Sequence, residues 1–356
     1  MSRFQREPLT VCLNYSSRDS IMERGNRQWF AGLARLQGSV IPGIWPRVLV
    51  CGVFGYFISL LDAQGYQVSY PTLDKVIPSI VLGLLLVFRT NTAYDRFWEG
   101  RKIWGGIINT SRNLARQTWV FVVEKSPDDR AQKQATLRLI VAFAVAIKLR
   151  LRNLPLDSEI QELLSPQQFQ TLQAMEHPPL EIIFWINDYL KQQHDRGSLG
   201  TYQMVAMVDL INKQVDNLGS CERILKTPLP LAYAIHLRQL LLLYCLVLPF
   251  QWVGDLGMLT GWVTALVSFT LLGIEEIGLE IENPFGTDPN DLPLDTICAT
   301  MRRNIEDLMT LSPSSAYDAG YPDALLDALP DAVSGVASGA IFEGASESLG
   351  SRFPRS

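Results

Sequence analysis

KVIPSIVLGLLLVFRTNTAYDRFWEGRKIWGG, residues 75–106, runs uncharged from Val76 to Phe88 and then turns polar at once with Arg89, Thr90, Asn91, Thr92, Asp95 and Arg96. Pro78 suits a first helical turn, where its missing N–H removes no intrahelical bond. Ile80, Leu84 and Phe88 recur every fourth residue and so stay near one side of a helix. Val81, Leu82, Leu85, Leu86 and Val87 fill the other sides. A helix apolar all round is either deeply buried or in lipid. The run is shorter than the roughly 20 residues that cross a bilayer, so the rest of the chain has to separate these two environments.

Working outward, Val48 to Leu61 is also uncharged, with Trp45 and Arg47 before it and Asp62 and Tyr66 after it. That pattern fits aromatic and snorkelling anchors at two membrane surfaces. With the Val76 run it forms a helical hairpin, turned near Gly65 and Pro71. Gln239 to Gly254 and Leu256 to Ile274 form a second charge-free pair, and the latter is about as long as a bilayer span. Pro249, Gln251, Gly254, Asp255 and Gly257 place a tight turn between them.

Between the hairpins, residues 99–228 are polar and helical in pattern. Leu137 to Ile147 is apolar but brief, bracketed by Arg138 and by Lys148, Arg150 and Arg152, and reads as a buried helix outside the membrane. Ser165-Pro166-Gln167-Gln168 is a capping box. His177-Pro178-Pro179 and Arg196-Gly197-Ser198 are breaks, and Tyr202 to Leu225 is a helix. Asn26 to Leu36 has the spacing of a short amphipathic helix. The tail from Pro313, rich in Ser, Gly, Ala, Asp and Pro, reads as disordered.

Of the 356 residues 19% are charged, below the roughly 25% of soluble domains. The net charge of −5 hides an asymmetry: Lys and Arg outnumber Asp and Glu seven to three in residues 1–47 and thirteen to five in 88–153, whereas in 273–356 they are outnumbered fifteen to four. By the positive-inside rule the two basic segments lie in the cytosol, which gives four spans with both termini inside. The expected division is a cytosolic segment 1–47, a hairpin 48–98, a cytosolic helical region 99–228, a second hairpin 229–274, an acidic cytosolic region 275–312 and a tail 313–356. Five scattered cysteines supply neither a disulfide framework nor a Cys-x-x-Cys site, and no cleaved targeting segment is expected before Val48. Nucleotide-binding, zinc-protease and serine-hydrolase signatures are missing, so a channel or a membrane scaffold is expected rather than an enzyme, with no nucleic acid among its partners.

Three motifs remain. The Ile80/Leu84/Phe88 stripe, repeated around an axis, would make an apolar collar that gates by dewetting; packed on neighbouring helices it would be ordinary core. Glu222-Arg223-Ile224-Leu225-Lys226-Thr227-Pro228-Leu229-Pro230-Leu231-Ala232-Tyr233 sets Leu229 between two prolines, which hold an extended break. Asn283-Pro284-Phe285-Gly286-Thr287-Asp288-Pro289-Asn290-Asp291 offers oxygen donors of a kind suited to calcium, without the spacing of an EF-hand.

In that order, the three motifs resemble the bestrophin family of ion channels over roughly residues 20–310. The resemblance implies an all-α subunit with four membrane helices and a large cytosolic helical region, assembled as a homopentamer around a central pore in a lipid bilayer, either the cell inner membrane or the thylakoid. It implies a neck at Ile80, Leu84 and Phe88, a cytosolic aperture at Leu229, and a vestibule near Arg89, Asn91 and Arg96. Asn283, Asp288 and Asp291 match a weak calcium site, which Pro289-Asn290 argues against. The expected cargo is a small anion, chloride or bicarbonate. The alternatives are a monovalent-cation channel of the bacterial kind and a non-conducting scaffold.

Overall fold

The computed structural model describes residues 38–70 and 76–313. Among them every regular element is helical. The expected amphipathic helix at 26–36 and the tail lie outside these residues.

α1 (Ile41–Ala63) starts seven residues before the apolar run, because a proline in its first turn sits where the orphan N–H would be. Its 23 residues reach about 34 Å, enough for a bilayer core of about 30 Å. Gly65, at φ 90°, turns the chain out of it. α2 (Val76–Phe121) is one unbroken helix of 46 residues. It runs straight through residue 98, the expected boundary between membrane and cytosolic segments. The reason is a continuous buried face: Leu82, Leu86, Arg89, Ala93, Gly100, Trp104, Ile107, Ser111, Leu114 and Thr118 are all buried, at spacings of three, four or seven that fit the helical period.

α3 (Pro127–Leu151) begins in a capping box between Ser126 and Asp129 and is buried throughout from Leu139 to Leu149. α4 (Ser158–Gln161), α5 (Pro166–Gln173), α6 (Pro178–Asp195) and α7 (Thr201–Lys226) follow. The Ser165/Gln168 capping box opens α5 as expected. One large apolar cluster joins α3, α6, α7 and α10 (Leu294–Thr310) to the second half of α2.

α8 (Leu231–Leu256) and α9 (Thr260–Glu280) form the second hairpin. Its turn is shorter than expected. Pro249, Gln251, Gly254 and Asp255 lie inside α8, and Gly257, at φ 52°, opens a single 3-10 turn, Gly257–Leu259. In an apolar medium a loop would strand several backbone groups, whereas an internal proline forfeits one hydrogen bond. The stretch Leu231–Glu280, like α1, is long and apolar enough to cross a membrane. α9 packs tightly on α1 because both are bare at the contact: a Cβ on Gly55 would stand 2.9 Å from Thr264 Oγ1, and one on Gly261 would stand 3.0 Å from Tyr56 N. The first half of α2 joins α8 through Leu82, Leu86, Leu237 and Leu241, and Tyr233 Oη donates to Leu85 O at 2.7 Å.

Candidate functional site

At about 100° per residue, Ile80, Phe88, Asn91, Asp95, Trp98 and Lys102 all fall within about 40° of Leu84 on the α2 surface. Every one of them is exposed, and Ile80, Leu84 and Phe88 are each more than half so. A single face therefore runs from oily to polar with no change of direction. Asn91 belongs to it.

Arg89, expected in the vestibule, does not. It lies more than 100° around the helix from Leu84 and is only 1% exposed. Its Nη1 is 3.6 Å from Glu275 and its Nη2 is 3.7 Å from Glu282. Burial without ion pairing would cost several kcal/mol, so the two glutamates explain where the side chain points. Glu275, 2% exposed, also meets Arg238 Nε at 3.2 Å, while Arg47 lies 3.0 Å from Glu276 and 3.9 Å from Glu275. Three arginines and three glutamates thus knit α1, α2, α8 and α9 together where the apolar segments end.

Arg96 is also off the stripe and partly buried. Its Nε donates to Glu282 O at 3.1 Å and its Nη2 to Ile224 O at 2.6 Å, while Nη1 reaches Thr227 O. Glu282 Oε1 in turn accepts the Leu229 N–H at 3.1 Å. The Pro228-Leu229-Pro230 segment is therefore held by the α2 guanidinium and by Glu282, two residues past the end of α9. Leu229 itself is half-buried. Glu282 has no local sequence signal; its partners are more than fifty residues away in the chain.

In the third motif, side-chain oxygens and an amide already brace the turn. Asp291 Oδ2 accepts the Asp288 N–H at 2.7 Å, and Asn283 Oδ1 accepts the Phe285 N–H at 3.3 Å. Both acceptors brace the turn. Asn290 Nδ2 donates to Gly38 O at 3.2 Å and to the Glu280 carboxylate, so one amide bridges these two oxygens. Arg152 Nε closes the loop on Gly286 O at 3.0 Å. Burial pushes the Asp291 carboxyl up, against the backbone N–H that favours its ionised form. Among the described residues no group of three or more His, Cys, Asp or Glu side chains could hold a metal ion.

Behind the Pro228–Pro230 segment, Glu222 gathers Arg150 Nε at 2.5 Å, His177 Nε2 at 3.0 Å and Lys226 Nζ at 3.4 Å. Burial pushes its carboxyl up, but the hydrogen bond and charge of Arg150, with His177 and Lys226 beside it, together hold it below its usual range. Burial also works against the charge on Lys148, yet Glu159 and Asp295 more than restore it, so its ammonium sits above the ordinary lysine range.

The family described as bacterial/fungal bestrophin protein matches residues 20–307. The chain belongs to the bestrophin family. This bestrophin is 60% identical over 300 residues to a voltage-dependent anion channel-forming protein of Nostoc sp., covering 84% of this chain and 98% of the other. A protein of the same description from Synechocystis sp. is 57% identical over 290 residues, covering 82% and 94%. Among solved structures, a bacterial bestrophin homologue from Klebsiella pneumoniae superposes with a TM-score of 0.68 at 28% identity, over 76% of this bestrophin and all of that chain. The shared fold is all-helical, and this bestrophin is a membrane protein.

Proposed function

We propose that this bestrophin is a passive channel for small anions, with Ile80, Leu84 and Phe88 as its neck and Leu229 as a second constriction at the cytosolic end. The observation that carries it is the one continuous exposed face of α2, apolar through Phe88 and bearing Asn91, Asp95 and Lys102 beyond it, with Trp98 among them. Side chains that size, repeated around an axis, leave a narrow uncharged passage that conducts when hydrated and closes by dewetting. Asn91 and Lys102 then line an inner vestibule, and Arg96 acts through the Leu229 backbone rather than on the ion. The relatives named as anion channel-forming proteins support the same reading.

The assembly we propose is a homopentamer around that axis. Four segments of each subunit cross the bilayer: α1, the first half of α2, α8 and α9. Both termini face the cytosol, and the host membrane is the cell inner membrane or the thylakoid. Chloride and bicarbonate are the proposed cargo.

One observation favours a second reading, a monovalent-cation channel: Asp95 lies on the conducting stripe while Arg89 is turned away and neutralised. A ring of carboxylates at that level would attract cations. Planar-bilayer recordings in asymmetric sodium chloride separate the two, since the reversal potential takes the sign of the permeant ion. Absence of current above empty membranes in any salt would overturn both. Replacing Ile80, Leu84 and Phe88 together by alanine raises conductance if the stripe lines the pore, and leaves it unchanged if the stripe packs on protein.

A further inference from the structure

A cavity of about 490 Å³ lies between α1, α8 and α9 at the level where their apolar segments end. Its wall is apolar, with Val50, Leu241, Leu242 and Leu272 facing into it, and its rim carries Arg47 and Arg238 above Glu275. The two signs are unequally exposed. The Arg47 and Arg238 side chains are 54% and 56% exposed, the Glu275 side chain beneath them 3%. The buried Glu275 carboxylate holds Arg238 through Nε at 3.2 Å and stands 3.9 Å from Arg47 Nη1, which donates to the mostly buried Glu276 at 3.0 Å. Each guanidinium has five N–H donors, so the outer face of the cluster stays cationic and rich in donors.

We propose that this groove is a binding site for an anionic phospholipid, its phosphate held between Arg47 and Arg238 and an acyl chain laid along Val50, Leu241, Leu242 and Leu272. The inference rests on the membrane reading of α1, α8 and α9. An apolar trough closed by two forked cations at the cytosolic membrane surface matches a phospholipid in both polarity and order, and Arg forks bind phosphate oxygens in pairs. A free phosphate would use the arginines but leave the trough exposed; an apolar segment of protein would fill the trough but leave the arginines unused. The site also touches the conducting helix. Glu275 shares its carboxylate among Arg47, Arg238 and Arg89, and Arg89 follows Phe88 directly. A phosphate that draws Arg47 and Arg238 outward leaves Glu275 more fully to Arg89, which ties the lipid headgroup to the position of the neck.

The test measures lipid retention, which needs no current and so stands or falls separately from the channel reading. The full-length protein is loaded with phosphatidylglycerol, exchanged into excess phosphatidylcholine micelles, and its bound lipid counted by native mass spectrometry. Wild type is expected to retain phosphatidylglycerol. Arg47→Gln and Arg238→Gln should each weaken retention about fivefold, the worth of one arginine at an anionic membrane surface. Leu242→Trp, which fills the trough and keeps both charges, should displace the lipid as well, so that the proposal does not hang on variants that disturb the Glu275 cluster. Equal retention of phosphatidylglycerol and phosphatidylcholine by wild type overturns the proposal. So does a Leu242→Trp protein that keeps its lipid.

Discussion

Replacing Arg89 by methionine keeps most of the side chain's volume and removes its charge. Two carboxylates lose a partner. Glu275 is almost wholly buried but retains Arg238 at 3.2 Å, while Glu282 is exposed enough to recruit water in place of the arginine. Breaking a buried pair from one side costs about 3–5 kcal/mol, and the surviving Arg238 contact sets the expectation at about 3 kcal/mol, the lower end of that range. At roughly 2–4 °C per kcal/mol for a mid-sized domain, the melting point should fall by about 6–12 °C. Thermal melting of the detergent-solubilised protein, followed by size-exclusion chromatography, reads this directly. Adding Glu275→Gln to the same chain removes the uncompensated charge and should return part of the loss. A cost under about 1 kcal/mol, the range of exposed ion pairs, would refute the picture of a buried charge knot, and so would a double variant no more stable than Arg89→Met alone.

Glu282→Ala frees the Leu229 N–H and removes one anchor of Arg89, so relative permeability among anions of different size should broaden while the neck stays intact; unchanged permeability ratios would separate Leu229 from selection. Asn290→Asp turns the amide bridge into a carboxylate facing Glu280, which should lower the melting point at neutral pH and restore it in acid as the pair takes up a proton. Calcium chelation should leave wild-type currents unchanged, because the loop is closed by its own amide, and loss of current on chelation would contradict that geometry. Glu222 has its carboxyl held below the usual value in the folded state, so its contribution is complete above the unfolded carboxylate pKa of about 4.3 and fades as pH falls through the lowered folded value. Melting curves of Glu222→Gln should accordingly show a smaller acid loss below about pH 4 than wild type.

The elements legible from sequence are those with a local signature. The Ile80, Leu84, Phe88 spacing, the Ser165/Gln168 capping box and the apolar run of α3 each carry their own period or cap. What stays hidden depends on partners far along the chain. Arg89 follows an apolar run and reads, by itself, as a cation at the edge of the cytosol; only the fold brings Glu275 and Glu282 to it. Gly105-Gly106 and a dense patch of charge obscure the continuity of α2. Gly106 is accommodated because Asn217 of α7 fills the space beside it: a Cβ there would stand 3.2 Å from Asn217 Nδ2. Pro249 has the local look of a turn residue, yet its setting in an apolar helix outweighs a preference that belongs to water-exposed loops.

The length of α2 has a mechanical meaning. A rod of 46 residues is about 69 Å long, and Ile80 to Phe88 occupy only about 12 Å near one end of it. With no break between the ends, a rotation of about 5° around the middle would carry each tip sideways by about 3 Å, a distance comparable to an ionic diameter. Forces applied where Trp104 and Leu114 sit in the large apolar cluster would thus be geared to the proposed neck, and the gear is the helix itself.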